Sequence, residues 1–230
     1  MKTDKIYTAV SAAAWILVLL GVMLTVIDVL CFCRPFYSYE YKKGSQAEKI
    51  GMSDADLMNA TDTLLDYIRD ERDDIVVEAE VNGSLREVYD NREKLHMIDV
   101  KNLYQNAMTW RTVMAAAGIL MIAGIVLSLR SGSFALLQRG YKYALMMLMI
   151  LIAFIAVSAV ADFNSFWLRF HYIFFDNDLF LLNPNTSIMI NMFPESFFFD
   201  MVILIAGVFA AFILLTGFVL KRLQKRFTYA

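Results

Sequence analysis

Two histidines are the residues of this sequence best suited to proton transfer. His96 lies in "REKLHMIDVKNLY" (92–104), three residues before Asp99, and His171 lies in the aromatic stretch "FWLRFHYIFF"; the chain has no other histidine. Residues three apart on a helix are neighbours, so the Asp99 carboxylate can fix the tautomer of His96 and raise its basicity. The pattern indicates a general base at His96, and a base–acid pair for acyl transfer if His171 joins it.

Two other interpretations of these residues stay open. His-x-x-Asp pairs are common on helix surfaces, so each histidine alone is also typical of a structural role. Alternatively, His96 and His171 with Asp99, Asp176 or Asp178 would supply ligands for a zinc-like ion, although no zinc-enzyme spacing motif occurs.

No protein nucleophile stands out in the sequence. There is no Gly-x-Ser-x-Gly elbow and no P-loop, so the attacking amine or hydroxyl is expected to come from the substrate. Cys31 and Cys33 are too close in a helical stretch to form a comfortable disulfide, and we expect them to pack rather than to act as thiol nucleophiles.

Long apolar stretches indicate the fold class. The chain is 59% hydrophobic and 19% charged, and four stretches contain no Asp, Glu, Lys or Arg: 6–27, 113–129, 143–161 and 201–220. Each is close to the roughly 20 residues that a helix needs to cross a hydrocarbon core. The sequence therefore predicts a mainly α membrane protein with four transmembrane helices, a small extracytoplasmic α+β cap and an aromatic interfacial loop.

The distribution of Lys and Arg predicts the orientation. Basic residues cluster at both termini and in the short loop that contains Arg130, Arg139 and Lys142. Residues 34–107 hold 10 Lys/Arg against 16 Asp/Glu, a net of 10 − 16 = −6. Positive residues favour the cytoplasmic side, so both termini are predicted inside and both histidines outside. The formal net charge of −2 and the lack of a basic stripe argue against nucleic-acid binding.

Local patterns divide the chain further. Ser53 with Asp56 resembles a capping box and predicts a helix over about 53–70, and Asn82-Gly83 predicts a β-hairpin near 75–89. A helix over 92–104 is expected to run toward the second span. The predicted organisation is transmembrane helix 6–33, cap 34–107, transmembrane helix 108–129, cytoplasmic loop 130–142, transmembrane helix 143–162, interfacial loop 163–200, transmembrane helix 201–220 and cytoplasmic tail 221–230.

Charged residues also gather near the predicted outer boundary of the membrane. Charges at membrane depth are costly and usually face a bundle interior or a cavity. They are expected either to form Asp–Arg pairs that hold the helices together or to serve a polar pocket. The candidate supporting residues are Asp28, Asp99, Arg111, Arg169 and Asp178, with Asp162 and Asp200 nearby.

Four short stretches, taken in order, resemble a known family. "HMIDVK" (96–101), followed by "FHYIFF", "NDLFLLNP" and "MFPESFF", is similar to the bacterial lipoprotein intramolecular transacylase family, and the match extends over essentially the whole chain. The resemblance implies a four-helix integral membrane enzyme of the plasma membrane. It also implies transfer of the sn-2 acyl chain of a diacylglyceryl-cysteine lipoprotein to the cysteine α-amino group, giving a lyso-form lipoprotein. The family's two functional histidines would fall on His96 and His171.

The expected partners are therefore the lipoprotein substrate and membrane lipid, with no cofactor, no metal and no nucleic acid. Two alternatives remain: a non-catalytic membrane scaffold that binds an extracytoplasmic partner, and a metal-dependent membrane hydrolase.

The shared use of one substrate also sets a geometric requirement. A continuous helix would lift His96 roughly 18 Å above Met108, at about 1.5 Å per residue. We therefore expect a kink or turn between Val100 and Ala107, at Asn102 or Asn106, a groove open to the outer leaflet, and the two imidazoles within roughly 8 Å of each other.

Overall fold

The computed structural model describes residues 2–129 and 133–228. Arg130, used in the orientation argument, lies outside the described residues. The elements in chain order are α1 (Lys2–Cys31), α2 (Arg34–Gly44), α3 (Gln46–Ile50), α4 (Asp54–Ile68), β1 (Glu78–Val81), β2 (Ser84–Glu87), α5 (Asn91–Leu129), α6 (Ser133–Ala161), α7 (Phe163–Phe174), α8 (Ile188–Met192) and α9 (Glu195–Thr228). The predicted fold class, four long apolar helices with a small antiparallel hairpin, is confirmed.

The chain forms two compact units. The membrane unit contains the described residues of 1–28, 108–161 and 204–230, and the cap unit contains 29–107 and 162–203. Four helices in the described part of the chain, α1, α5, α6 and α9, are long and apolar enough to cross a membrane. Each is longer than its charge-free stretch, and α6 already begins at Ser133. Hydropathy locates the apolar part of a helix but not its ends, because backbone hydrogen bonding continues beyond it.

The membrane unit has a core in which polar groups find partners inside the protein. Trp15 packs edge-on against Tyr141, with 5.2 Å between ring centroids. The Trp15 indole N–H donates to the carbonyl of Leu137 at 3.1 Å, and the Tyr141 hydroxyl donates to the carbonyl of Ile213. Lipid offers no hydrogen-bond partners, so these bonds tie α1, α6 and α9 together.

The cap unit contains the predicted short elements. Ser53 caps α4 by accepting from the backbone N–H of Asp56 at 3.0 Å, as its sequence pattern predicts. The hairpin is present, with Asn82 and Gly83 at its turn in the left-handed region (φ 52° and 79°). Cys31 and Cys33 have intermediate exposure and form no disulfide bond within the part of the chain that the structure describes.

Two local expectations are wrong. α5 is one continuous helix from Asn91 to Leu129, with no turn between Val100 and Ala107. Asn102 and Asn106 therefore do not interrupt it. The first third of the predicted interfacial loop is instead helix α7, which begins where Asp162 accepts from the backbone N–H of Ser165 at 3.0 Å.

Candidate functional site

His96 lies on the second turn of α5, whose start is held by a reciprocal cap. The backbone N–H of Glu93 donates to the Asp90 carboxylate at 2.8 Å, and the backbone N–H of Asp90 donates to the Glu93 carboxylate at 2.6 Å. This is the capping-box arrangement, which satisfies donors that a helix start leaves free. The cap therefore stabilises the start of α5, about one turn before His96.

Glu93 also attaches the loop that precedes α8. Its side chain is buried (1% exposed), and its second carboxylate oxygen accepts from the Ser187 hydroxyl and from the backbone N–H of Met189 at 2.9 Å. The Asp90-x-x-Glu93 pattern was a detectable signal for the cap. Nothing in the sequence indicates that Ser187 is its partner.

His171 lies in the last turn of α7. Its Nδ1 is 2.8 Å from the carbonyl oxygen of Trp167. A carbonyl can only accept, so in the neutral imidazole Nδ1 carries the proton and Nε2 carries the lone pair. The backbone of α7 thus makes Nε2 of His171 the basic nitrogen.

The fold brings the two imidazoles together. Their ring centroids are 5.9 Å apart, which confirms the prediction of roughly 8 Å or less. Phe180 stacks on His171 at 4.8 Å, and Phe175 packs edge-on against His96 at 5.4 Å. Both phenylalanines are buried and His96 is only 7% exposed. The histidines therefore meet among aromatic side chains that shield His96 from bulk solvent and leave His171 half-buried.

Burial among these aromatic side chains favours the neutral form of both imidazoles. Burial lowers the pKa of His96 to about 4, helped by the nearby His171 and by the charge of Arg92, while Asp99 raises it in part. Burial also lowers the pKa of His171, and the hydrogen bond to Trp167 opposes this shift. Desolvation disfavours the charged form, so both imidazoles are neutral at neutral pH.

Asp99 has a different partner from the one that the sequence suggested. The Asn177 side-chain amide donates to its carboxylate at 2.8 Å. On the same loop, Arg92 Nη2 donates to the backbone carbonyl of Asp178 and to its carboxylate, the latter at 3.1 Å. Two side chains of α5 therefore hold the 175–187 loop, which carries Phe180. Arg92 and Asn177 were not singled out from the sequence, which contains no motif for either.

The other supporting candidates do not join the histidines. Arg111 donates to the Asp28 carboxylate at 2.6 Å, an ion pair of the membrane unit that joins α1 and α5. Arg169 is exposed on α7. The described residues contain no group of three His, Cys, Asp or Glu side chains arranged to hold a metal ion. The observed Asp28–Arg111 pair matches the helix-holding role expected for such charges.

Comparisons with known proteins give a consistent result. A sequence model of the family "Lipoprotein intramolecular transacylase Lit" matches residues 12–198. A solved structure of the membrane-integral lipoprotein intramolecular transacylase from Bacillus cereus superposes with a TM-score of 0.70 at 17% identity, covering 99% of this chain and 97% of that chain. Two variants of that protein, with one histidine replaced by arginine or by alanine, superpose with a TM-score of 0.70 at 15% identity, covering 99% of this chain and 93% or 94% of theirs. A search of curated protein sequences finds no significant match.

Proposed function

The chain belongs to the lipoprotein intramolecular transacylase family, a family of membrane acyltransferases, and we propose that it moves the sn-2 acyl chain of a diacylglyceryl-cysteine lipoprotein onto the cysteine α-amino group. The product is a lyso-form lipoprotein, with one acyl chain on glycerol and one on nitrogen. The observation that supports this reaction best is the pair of neutral imidazoles, with ring centroids 5.9 Å apart, in which His96 is buried, His171 is half-buried and Nε2 of His171 carries no proton.

The substrate supplies its own nucleophile. An α-amino group has a pKa near 8, so a useful fraction is neutral at physiological pH. The amine attacks the carbonyl carbon of the sn-2 ester, a C–N bond forms, and the carbonyl electron pair moves onto oxygen. Both reacting groups belong to one molecule, so holding them in register supplies much of the rate enhancement.

His171 is suited to move the proton. Its Nε2 takes a proton from the attacking nitrogen and returns it to the sn-2 oxygen as the C–O bond breaks. The proton count balances, because the proton lost by the amine becomes that of the new glycerol hydroxyl. The Nδ1–H bond to Trp167 is kept in both protonation states and holds the ring in place.

His96 acts as the second member of the pair. With a pKa of about 4, roughly one molecule in a thousand carries the imidazolium at pH 7, so a charged His96 contributes little as an acid. A neutral imidazole can instead donate a hydrogen bond to a carbonyl oxygen that gains charge. We assign His96 this role in stabilising the tetrahedral intermediate.

The active site is proposed to face the extracytoplasmic side. The basic residues at both termini and around 139–142 favour the cytoplasm, whereas the cap segment 34–107 has a net charge of 10 − 16 = −6. A lipoprotein anchored in the outer leaflet of the plasma membrane would then present its ester and its amine on the extracytoplasmic side, where both histidines are predicted to lie.

The test is expression in a bacterial host that lacks lipoprotein N-acylation, followed by fragmentation of a lipoprotein's N-terminal lipopeptide. Acyl migration leaves the mass unchanged and moves one chain to the amino group. Hydrolysis would remove the mass of one chain, and a scaffold would leave the lipopeptide unaltered. Either of these two results would overturn the proposed function.

Variants of the two histidines test their role. His96→Ala and His171→Ala should each abolish migration, and His96→Gln should also fail, because its amide does not reproduce the donor geometry of the imidazole. Asn102→Ala on α5 and Asn164→Ala on α7 replace exposed polar residues and serve as matched controls. Full activity in a folded histidine variant would show that the pair is structural.

A further inference from the structure

Two buried nitrogens near the histidine pair have no hydrogen-bond partner. They are Nε of Arg92 and Nδ1 of His96, the only such side-chain atoms among the described residues. A buried polar group without a partner costs roughly 1–3 kcal/mol. Arg92 and His96 are four residues apart on α5, so they lie on one face with Cβ atoms about 5–6 Å apart.

The two nitrogens are chemically complementary. Arg92 Nε can only donate, and the imidazole nitrogen accepts when it carries no proton. The guanidinium is a rigid planar fork, and its Nη2 is already held by the backbone carbonyl and the carboxylate of Asp178. This anchoring restrains the plane of the guanidinium and with it the direction of the Nε–H bond.

We propose that Arg92 is a positioning residue that shares one buried water with His96: the water accepts from Arg92 Nε–H and donates to His96 Nδ1. The bridge places the single proton of the neutral His96 ring on Nε2. Ordered internal waters typically bond to buried polar groups of this kind, which have no partner within the protein. The cation makes the bound water a better donor toward the imidazole.

The two imidazoles then present complementary Nε2 atoms, one a hydrogen-bond donor and the other a proton acceptor. His96 presents Nε2–H and His171 presents the Nε2 lone pair, because the Trp167 carbonyl keeps the proton of His171 on Nδ1. One ring therefore donates to the developing oxyanion and the other removes the amine proton. This part of the inference rests on the proposed function, whereas the tautomer of His96 is measurable without any substrate.

The experiment uses the small number of histidines. With two in the chain, selective ¹⁵N-histidine labelling of the full protein in lipid nanodiscs yields two imidazole spin systems, and His171→Gln assigns them. We expect wild-type His96 to show a protonated Nε2 and a hydrogen-bonded, unprotonated Nδ1. His171 should show the opposite tautomer.

Three variants separate the bridge from simpler roles of Arg92. Arg92→Met should remove the hydrogen-bond shift at His96 Nδ1 and lower kcat by roughly 100-fold, the effect of losing one aligned oxyanion donor, with little change in KM. Arg92→Lys keeps the charge without Nε–H and should not restore either quantity. Asp178→Ala removes the ion pair but keeps the backbone contact, so it should leave the Nδ1 signal unchanged.

The tautomer readout can fail while the transacylase activity stands. A His96 ring protonated on Nδ1 in the wild-type protein would overturn the proposal, as would an unchanged Nδ1 signal in Arg92→Met. Full rescue by Arg92→Lys would reduce the role of Arg92 to its charge. If the His96 Nδ1 signal changed as much in Asp178→Ala as in Arg92→Met, Arg92 would act only by holding the 175–187 loop. If Arg92→Met fails to fold, the wild-type tautomer and Arg92→Lys still decide the matter.

Discussion

Acidification should leave His96 neutral far below the pH at which histidine usually ionises. Burial is the largest cause, and it lowers the pKa from 6.5 to about 4, with His171 and Arg92 acting in the same direction. At about 1.36 kcal/mol per pKa unit, the folded protein favours the neutral ring by about 3 kcal/mol. That figure is the magnitude to be tested.

The same shift links stability to pH. The pKa of His96 is lower in the folded state, so the unfolded state binds the proton first as the pH falls. The free energy of unfolding should therefore be unaffected by His96 above pH 6.5. It should decline between about 6.5 and 4, by up to about 3 kcal/mol, and His96 should cause no further loss below pH 4.

The assay is an NMR titration of the two labelled histidines in nanodiscs. His96 should titrate with a midpoint near 4, and His171 with a midpoint below 6.5. In His171→Gln the midpoint of His96 should rise, because one unfavourable neighbour is gone, yet it should stay below 6.5 because burial is the larger cause. A wild-type midpoint between 6 and 7 for His96 would refute the reasoning that aromatic packing shields His96 from bulk solvent.

The same pKa shifts predict how kcat/KM depends on pH. Between about pH 8 and 6.5, log kcat/KM should fall by one unit per pH unit, as the substrate amine becomes protonated. An additional break at 6.5 is expected only for a histidine with its ordinary pKa. Its presence would show that the proton acceptor is solvated, contrary to the desolvation that lowers the pKa of His171.

Three further outcomes are expected. After both native cysteines are replaced by serine, impermeant thiol reagents added to intact cells should label Ser84→Cys and spare Lys225→Cys; the reverse pattern would invert the topology. Gly140→Ala should destabilise the protein by about 1–3 kcal/mol in detergent melts, because the new Cβ would lie 2.7 Å from the backbone nitrogen of Ala12, whereas Gly124→Ala, with open space around it, should not. Rigorous chelation of metal ions should leave acyl migration unchanged. A loss of activity on chelation that added metal reverses would favour the metal-dependent hydrolase alternative.

The loop contacts explain why Asp99 is expected to matter less than His96. Its carboxylate accepts from Asn177, and so it helps to hold the loop that brings Phe180 onto His171. Asp99→Asn keeps a hydrogen-bond acceptor at this position, and we expect a smaller loss of activity than in His96→Ala. Asn177→Ala should resemble Asp99→Asn if both act through the loop.

The local features of this protein follow from short-range patterns in the sequence. The four spans need only charge-free stretches of sufficient length, the α4 cap needs only Ser53 and Asp56, and the hairpin needs only Asn82-Gly83. Each depends on residues that are close along the chain, so neighbouring side chains and the backbone decide it. The two histidines were recognisable as candidates because no other residues of that chemistry are present.

The site itself depends on contacts between residues far apart in sequence. The meeting of His96 with His171, the Asp99–Asn177 bond and the use of Glu93 to hold Ser187 each span 75 or more positions. The predicted turn in α5 was wrong because it assumed that His96 had to move, whereas α7 and its loop bring His171 to a continuous helix. A local pattern such as His-x-x-Asp shows which partners are within reach, but only packing decides which one is used. Sequence thus determined the helices and the candidate imidazoles, and tertiary structure decided their pairing, protonation and surroundings, because burial and long-range hydrogen bonds exist only in the folded chain.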